Sequence, residues 1–274
     1  TDNQYSDNMI VENLVDDKNI FKGYSLIQRY NCQGCHIVDG FGGQIADIIG
    51  APEYSPPNLN TQGIKTQPDW LFSFFKHPSI IRPNLQVRMP SFTMFSDDDW
   101  NSIITAFQHM ENHNLSFESE FTFSDKSTKY LAGEKIHEFG ACNNCHFYGE
   151  VKPIQDPATW APNLALTKER LRPEWVVEWL RDPQKIMPGT KMPAPYLPSS
   201  DLLQADGAID IWGKYLIEIN GDNDLMLEGL RDYIYNIPGK IDISDFVRDY
   251  FKTNGYDFNS PEEDEEEEDW DEDW

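Results

Sequence analysis

The sequence predicts a helical protein built from two tandem copies of one unit, followed by a helical extension and an acidic tail. Three observations support this prediction. A cysteine motif occurs twice, the same short segments follow each copy in the same order, and apolar residues on helical spacing flank both copies. We place the first unit at 1–118, the second at 119–221, the extension at 222–261 and the tail at 262–274.

All four cysteines of the chain belong to two copies of a CxxCH motif. The copies are Cys32, Cys35 and His36, and Cys142, Cys145 and His146. Two thiols at this spacing form thioether bonds to the two vinyl groups of one heme, and the adjoining imidazole then ligates the iron. A thioredoxin-like redox pair, a four-thiolate zinc site and disulfides within each pair are the alternatives. None of these alternatives explains a histidine after both pairs.

Other segments repeat in register with the motifs. A glycine lies nine residues before each first cysteine, and the later matches are a Pro-Asn-Leu segment, a proline-initiated helix and a cation-Met-Pro segment. These are Gly23 and Gly133, Pro57–Leu59 and Pro162–Leu164, Pro68–Leu71 and Pro173–Val176, and Arg88–Pro90 and Lys191–Pro193. Each copy ends with a predicted amphipathic helix. Ser96 caps the first of these helices, and Ile209, Trp212, Leu216 and Ile219 form the stripe of the second.

The repeated pattern resembles class I cytochromes c, and the doubled pattern resembles a diheme cytochrome c over roughly residues 17–221. The resemblance implies an all-α fold in which two tandem domains each surround one covalent heme c. It also implies that the carbonyls of Pro57 and Pro162 accept the Nδ1–H bonds of the two histidines. Ordinary turn prolines remain the alternative for both.

Methionine is the expected second axial ligand, because thioether sulfur favours ferrous iron and raises the reduction potential. We assign Met89 and Met192, since both follow a cation and precede a proline. Met94 and Met187 lie close by as alternatives, but neither is repeated. Arg88 and Lys191 are candidate partners of heme propionates, with solvated surface positions as the alternative. Trp70 and Trp175 are further candidates as N–H donors, with packing in the core as the alternative.

The predicted function is transfer of single electrons between redox partners through two His/Met-ligated hemes. A subunit of a quinol-oxidising or oxidase complex is the first alternative, and a diheme peroxidase-like enzyme is the second. Peroxidase chemistry needs an open iron position and an acid–base group. Matching Met loops in both copies argue against an enzyme. The extension motivates the complex, since Leu225–Tyr235 predicts a helix that either packs on the second unit or docks on a partner.

The formal charge of −25 excludes nucleic acid and anionic lipid as favourable partners. It suits a basic redox protein or a respiratory complex. No apolar run is long enough for a membrane span. Residues 262–274 contain eleven acidic side chains and predict either a solubilising tail or an arm for a basic partner. By resemblance, heme attachment implies a periplasmic or equivalent compartment, and the polar start suggests a processed chain.

Overall fold

Helices dominate the part of the chain that the structure describes. The computed structural model describes residues 17–50, 54–82, 85, 87–111 and 121–238. In the first repeat the elements are α1 (Asp17–Arg29), α2 (Cys32–Cys35), β1 (Ile37–Val38), β2 (Phe41–Gly42), α3 (Ile45–Ile49), α4 (Gln62–Lys65), α5 (Pro68–Lys76) and α6 (Asp97–Met110). The two strands form a small antiparallel hairpin with Ile37 opposite Gly42.

Residues 121–238 contain seven α-helices and three 3₁₀ turns. The helices are α7 (Thr128–Gly140), α8 (Thr167–Arg170), α9 (Pro173–Arg181), α10 (Pro183–Ile186), α11 (Ser200–Leu203), α12 (Ala208–Ile219) and, after it, α13 (Asn223–Tyr235). The 3₁₀ turns are Cys142–Asn144, Pro157–Thr159 and Leu164–Leu166. The predicted helical character is therefore confirmed.

The first and last helices of the first repeat pack against each other at a glycine. A Cβ atom at Gly23 of α1 would collide with the backbone carbonyl of Ser102 in α6, so only glycine permits this approach. Ser96 caps α6 as predicted, and its side chain and that of Asp99 form a reciprocal capping box. Apolar residues of α6 are buried in the core of the first repeat, among them Trp100, Ile103, Ile104 and Phe107.

In the second repeat, α7 packs most closely on α13 and makes a smaller contact with α12, through Phe139 and Trp212. A Cβ atom at Gly133 of α7 would collide with the backbone of Gly229 in α13. The expected closing helix α12 is interrupted at Gly213, whose φ of 75° is non-helical, and Ile209 at its start is 58% exposed. The helix that we predicted within 222–261 therefore packs back on the second repeat, in the position that α6 takes in the first.

Buried charges hold α13 on α7. The Asp232 side chain is fully buried, and its carboxylate lies 3.5 Å from Lys129 Nζ of α7 and 2.9 Å from Arg231 Nη2. Lys129 also pairs with Glu228 at 2.8 Å. A buried carboxylate is costly unless cations compensate it, so this network favours one docked position of the helix.

The two repeats meet through their own equivalent segments. Thr66 and Leu171, which occupy matching positions in the repeat, form an isolated antiparallel bridge. The Gln67 N–H donates to Arg170 O, and the Arg172 N–H donates to Lys65 O, both at 2.9 Å. Exchange of the same bond in both directions between equivalent residues describes a local two-fold relation. We call residues 65–67 and 170–172 the seam.

The seam lies within one compact unit, Thr1–Ile241, to which all described residues belong. Among those residues, no helix combines the length and the apolar character that crossing a membrane requires. Residues 239–261 of the predicted extension and the acidic tail 262–274 lie outside the described residues.

The contrast between α12 and α13 gives a paired test. Leu230 of α13 is 1% exposed, so Leu230→Ala should lower the free energy of unfolding by about 2–5 kcal/mol, through lost burial and a cavity. Ile209→Ala on α12 is the matched control and should change it by less than about 0.5 kcal/mol. Urea denaturation followed by circular dichroism measures both. Equal losses would contradict the assignment of α13 as the closing helix.

Candidate functional site

Both CxxCH motifs form a tight turn that begins at a residue in the left-handed conformation. Asn31 and Ala141 have φ values of 52° and 46° and precede the two motifs directly. In each turn the histidine N–H donates to the carbonyl of the first cysteine at 2.9 Å. All four thiols are free and half-buried, so neither pair is a disulfide. The turn therefore presents two unbonded thiols beside one imidazole, as thioether attachment requires.

The two imidazoles are oriented by the same hydrogen bond. His36 Nδ1 lies 2.8 Å from Pro57 O, and His146 Nδ1 lies 2.7 Å from Pro162 O. A proline carbonyl only accepts, so Nδ1 carries the proton in both bonds. This leaves Nε2 of each ring as the basic nitrogen that is free to ligate a metal.

Both imidazoles are also kept neutral by their surroundings. Burial lowers the pKa of His36 and of His146, and the proline carbonyls raise it only in part. A nearby guanidinium lowers the pKa further, from Arg82 for His36 and from Arg170 for His146. The neutral ring is the form that binds a metal.

Asn163 builds the loop that presents the Pro162 carbonyl. Its Oδ1 accepts from the N–H groups of Gly149 and Ala165, and its Nδ2 donates to Gly149 O at 2.9 Å. One side chain thus ties the loop to the segment that follows His146. In the first repeat, Asn58 Oδ1 accepts from the Asn60 N–H at 2.8 Å. The Pro-Asn-Leu repeat marked these positions, but the sequence analysis assigned no role to the asparagines.

The proposed axial methionines lie against the cores of their own repeats. Met89 packs on the first core and Met192 on the second, and both are half-buried. The alternative Met94 is 64% exposed. Trp179 Nε1 lies 2.9 Å from Met192 Sδ, and the equivalent residue in the first repeat is Phe74, which has no N–H to donate. The two methionines therefore differ in one hydrogen bond.

The seam contains the cations Lys65 and Arg170, and the charge of Arg82 acts on both, a grouping that the sequence did not predict. Arg170 is 8% exposed, and Lys65 and Arg82 are half-buried. Arg82 Nη2 donates to Ser55 O at 2.9 Å, two residues before Pro57. Among the described residues, no carboxylate pairs with Lys65, Arg82 or Arg170. The candidates that the sequence suggested for propionates, Arg88 and Lys191, are both exposed.

These features fit heme c as the bound group. It would be held by thioether bonds to the two thiols of a motif, by Nε2 of the histidine and by the methionine sulfur. Its propionates require cations, which the seam supplies without a carboxylate partner. Trp175 Nε1 is buried and has no hydrogen-bond partner among the described residues, so it could donate to such an anion. No cluster of three or more His, Cys, Asp or Glu residues suited to a metal ion occurs among the described residues.

Comparison with known proteins agrees with this chemistry for the first repeat. Residues 18–105 match the family model for cytochrome c oxidase, cbb3-type, subunit III. No curated protein and no solved structure matches the chain. The matched segment contains the first CxxCH motif together with Pro57 and Met89. The match supports a c-type cytochrome domain in this part of the chain, and domains of that kind are electron-carrier modules that hold heme c covalently.

Substitution of Asn163 tests how the loop is held. Asn163→Ala removes the partner of two backbone N–H groups and one carbonyl, so it should lower the free energy of unfolding by about 1–3 kcal/mol. Asn163→Asp keeps both acceptor contacts and loses only the donor, so its loss should be smaller. Chemical denaturation of the three proteins at one pH makes the comparison. A fully stable Asn163→Ala variant would contradict the role of this side chain.

Proposed function

We propose that the chain is a diheme c-type cytochrome that passes single electrons between redox partners. One heme would be attached to Cys32 and Cys35, and the other to Cys142 and Cys145. The observation that carries the proposal is the identical arrangement at both motifs. In each, two free thiols adjoin an imidazole whose Nδ1 is held by a proline carbonyl. The histidine and proline contacts of the second repeat match those of the first, to which the family model is similar.

Heme c supplies a one-electron couple when it is bound. The chain's own residues set the conditions for that couple. His36 and His146 would be axial ligands whose ring planes the carbonyls of Pro57 and Pro162 hold, and Met89 and Met192 would supply the opposite ligands. Two protein ligands leave no open position for a substrate, which favours a carrier over a peroxidase. The arrangement keeps structural change on electron transfer small, because each ligand sits on a packed segment.

We propose a boundary for the second unit that differs from residue 221. Since α13 packs on α7 as α6 packs on α1, the second cytochrome unit would extend to Tyr235. The fold would then be two tandem units, 17–111 and 121–235 by their described residues, joined at the seam. The compartment that we propose is the periplasm or an equivalent one, because c-type domains are typical of extracytoplasmic proteins.

A subunit of a larger respiratory assembly is the second candidate function. The match to a family described as an oxidase subunit supports it. The helix at Asn223–Tyr235 no longer supports it, because that helix is buried against α7. Native membranes or extracts should be fractionated by size exclusion with detection of the 31.7 kDa chain. Elution with an oxidase or quinol-oxidising complex favours the subunit, and elution as a lone chain favours the free carrier.

The partner of either form would present a basic surface. The chain carries 47 acidic against 22 basic side chains, so the long-range field attracts cationic proteins. The acidic tail would add to this field. A direct membrane span and a nucleic-acid partner are not part of the proposal.

Heme stoichiometry tests the diheme proposal. The mature protein should carry two covalent hemes by intact mass and by pyridine hemochrome absorbance. Replacing Cys32 and Cys35 by serine should leave one heme, and replacing Cys142 and Cys145 by serine should also leave one. Four serines should leave none. A wild-type protein with a single covalent heme would overturn the proposal.

The bond between Trp179 and Met192 predicts an asymmetry of the two hemes. The indole N–H withdraws electron density from Met192 Sδ, which weakens its donation to ferric iron and favours the ferrous state. Trp179→Phe should therefore lower the midpoint potential of the second heme and leave the first unchanged. Trp212→Phe is the control, since this half-buried Trp of the same repeat contacts Phe139 and Tyr196 instead. Spectroelectrochemical titration gives both potentials. An unchanged or higher second potential in Trp179→Phe would contradict the role of the bond.

A further inference from the structure

The side chains at the seam cross from one repeat to the other. Lys65 Nζ of the first repeat lies 5.3 Å from the ring centroid of Trp175 in the second. Arg170 Cζ of the second repeat lies 5.9 Å from the ring centroid of Trp70 in the first. Lys65 and Arg170 occupy equivalent positions in the repeat, as do Trp70 and Trp175. Each unit therefore places one cation on the tryptophan of the other.

The stacked rings below these cations are also equivalent. Trp70 stacks on Phe74 with centroids 5.0 Å apart, and Trp175 stacks on Trp179 with centroids 5.1 Å apart. Trp179 in turn contacts the proposed ligand Met192. Lys65 of the first repeat is therefore connected to the proposed ligand Met192 of the second through the rings of Trp175 and Trp179.

The seam cations also interact with each other and with the histidines. Burial lowers the pKa of Lys65 to about 7, and the positive charges of Arg170 and Arg82 add to this shift. Arg82 acts on His36, and Arg170 acts on His146. The three cations therefore link the surroundings of both histidines. These positive charges disfavour one another, and no carboxylate within the described ranges pairs with them, so bound anions would stabilise the arrangement.

We propose that Lys65, Arg82 and Arg170 form one carboxylate site that both repeats share, in which each repeat supplies a cation for the propionates of the other repeat's heme. The inference rests on the diheme function proposed above. Carboxylate groups fit because guanidinium groups bind them in bidentate pairs and because Trp175 Nε1 offers one further buried donor. Two hemes that share cations are coupled electrostatically, so a charge lost in one unit changes the potential of the other heme.

The direction of the effect follows from charge. Oxidation adds a positive charge to the heme, and a nearby cation disfavours that state. Removing a seam cation should therefore lower midpoint potentials. The change must appear at the heme of the opposite repeat as well as at the nearer one, since this crossing distinguishes a shared site from two separate ones.

The experiment uses full-length protein with both hemes attached, after intact mass has verified two hemes in every variant. Met192→His should shift the second heme to a much lower midpoint potential. The redox transition that remains at high potential then belongs to the first heme. Arg170→Gln in that background should lower this first-heme potential, although Arg170 belongs to the second repeat. The reciprocal pair is Lys65→Gln in a Met89→His background, read at the second heme.

Two controls separate charge from disruption. Arg170→Lys keeps the charge, so the midpoint potentials should stay close to those of the wild-type protein. This variant provides the measurement even if Arg170→Gln does not fold. Lys168→Gln removes the same charge from an exposed position two residues away and should leave both potentials unchanged. Titration of wild-type protein with acetate and phosphate distinguishes free anions from propionates, and no saturable shift in potential is expected.

Three results would overturn the inference. The first is an unchanged midpoint potential in Arg170→Gln and Lys65→Gln variants that fold and carry two hemes. The second is a shift in potential only at the heme of the repeat that carries the substitution. The third is a saturable change in potential on titration with free anions. Each of these leaves the diheme function standing. A single heme in the wild-type chain would instead remove the proposed function itself.

Discussion

The hydrogen bond from a histidine Nδ1 to a proline carbonyl sets the geometry around which each repeat is organised. It selects the tautomer, orients the ring and leaves Nε2 free to bind a metal, at both His36 and His146. The surrounding structure maintains this bond. In the second repeat Asn163 holds the proline loop, and in the first Arg82 bonds to Ser55 close to Pro57. The CxxCH turn can then place its two thiols relative to a ring that does not move.

A pair of helices that cross at glycine supplies the rigid frame for each of these sites. Gly23 and Gly133 permit backbone contact that any side chain would prevent. In the second repeat the crossing requires α13, and the buried Asp232 network adds charge compensation to the apolar contacts. The seam then joins the two frames through backbone bonds exchanged between equivalent residues. This joint brings cations from both repeats together, which is the basis of the coupling that we propose.

The local features of the sites were predictable because they depend on short spacing. The CxxCH motifs, the Ser96 cap and the proline-initiated helices all involve residues within a few positions of one another. The proline carbonyl partners were expected from the resemblance to class I cytochromes c instead, since His36 and Pro57 are 21 residues apart. Which of α12 and α13 packs on α7 at Gly133 could not be predicted from the sequence pattern, since apolar residues recur at helical spacing in both segments. Gly229 decides it, because this glycine on α13 lets the helix approach Gly133, and α12 is broken at Gly213.

By itself, the sequence determined the helical class and the doubled CxxCH pattern from which we infer heme attachment, because both depend on residue type and spacing. The tertiary structure decided which helix closes the second unit, and it brought Lys65 and Arg170 to the opposite repeat's tryptophans. The physical reason is distance along the chain. Residues separated by about a hundred positions meet only after both repeats have folded, and no local preference records which of their surfaces will pair.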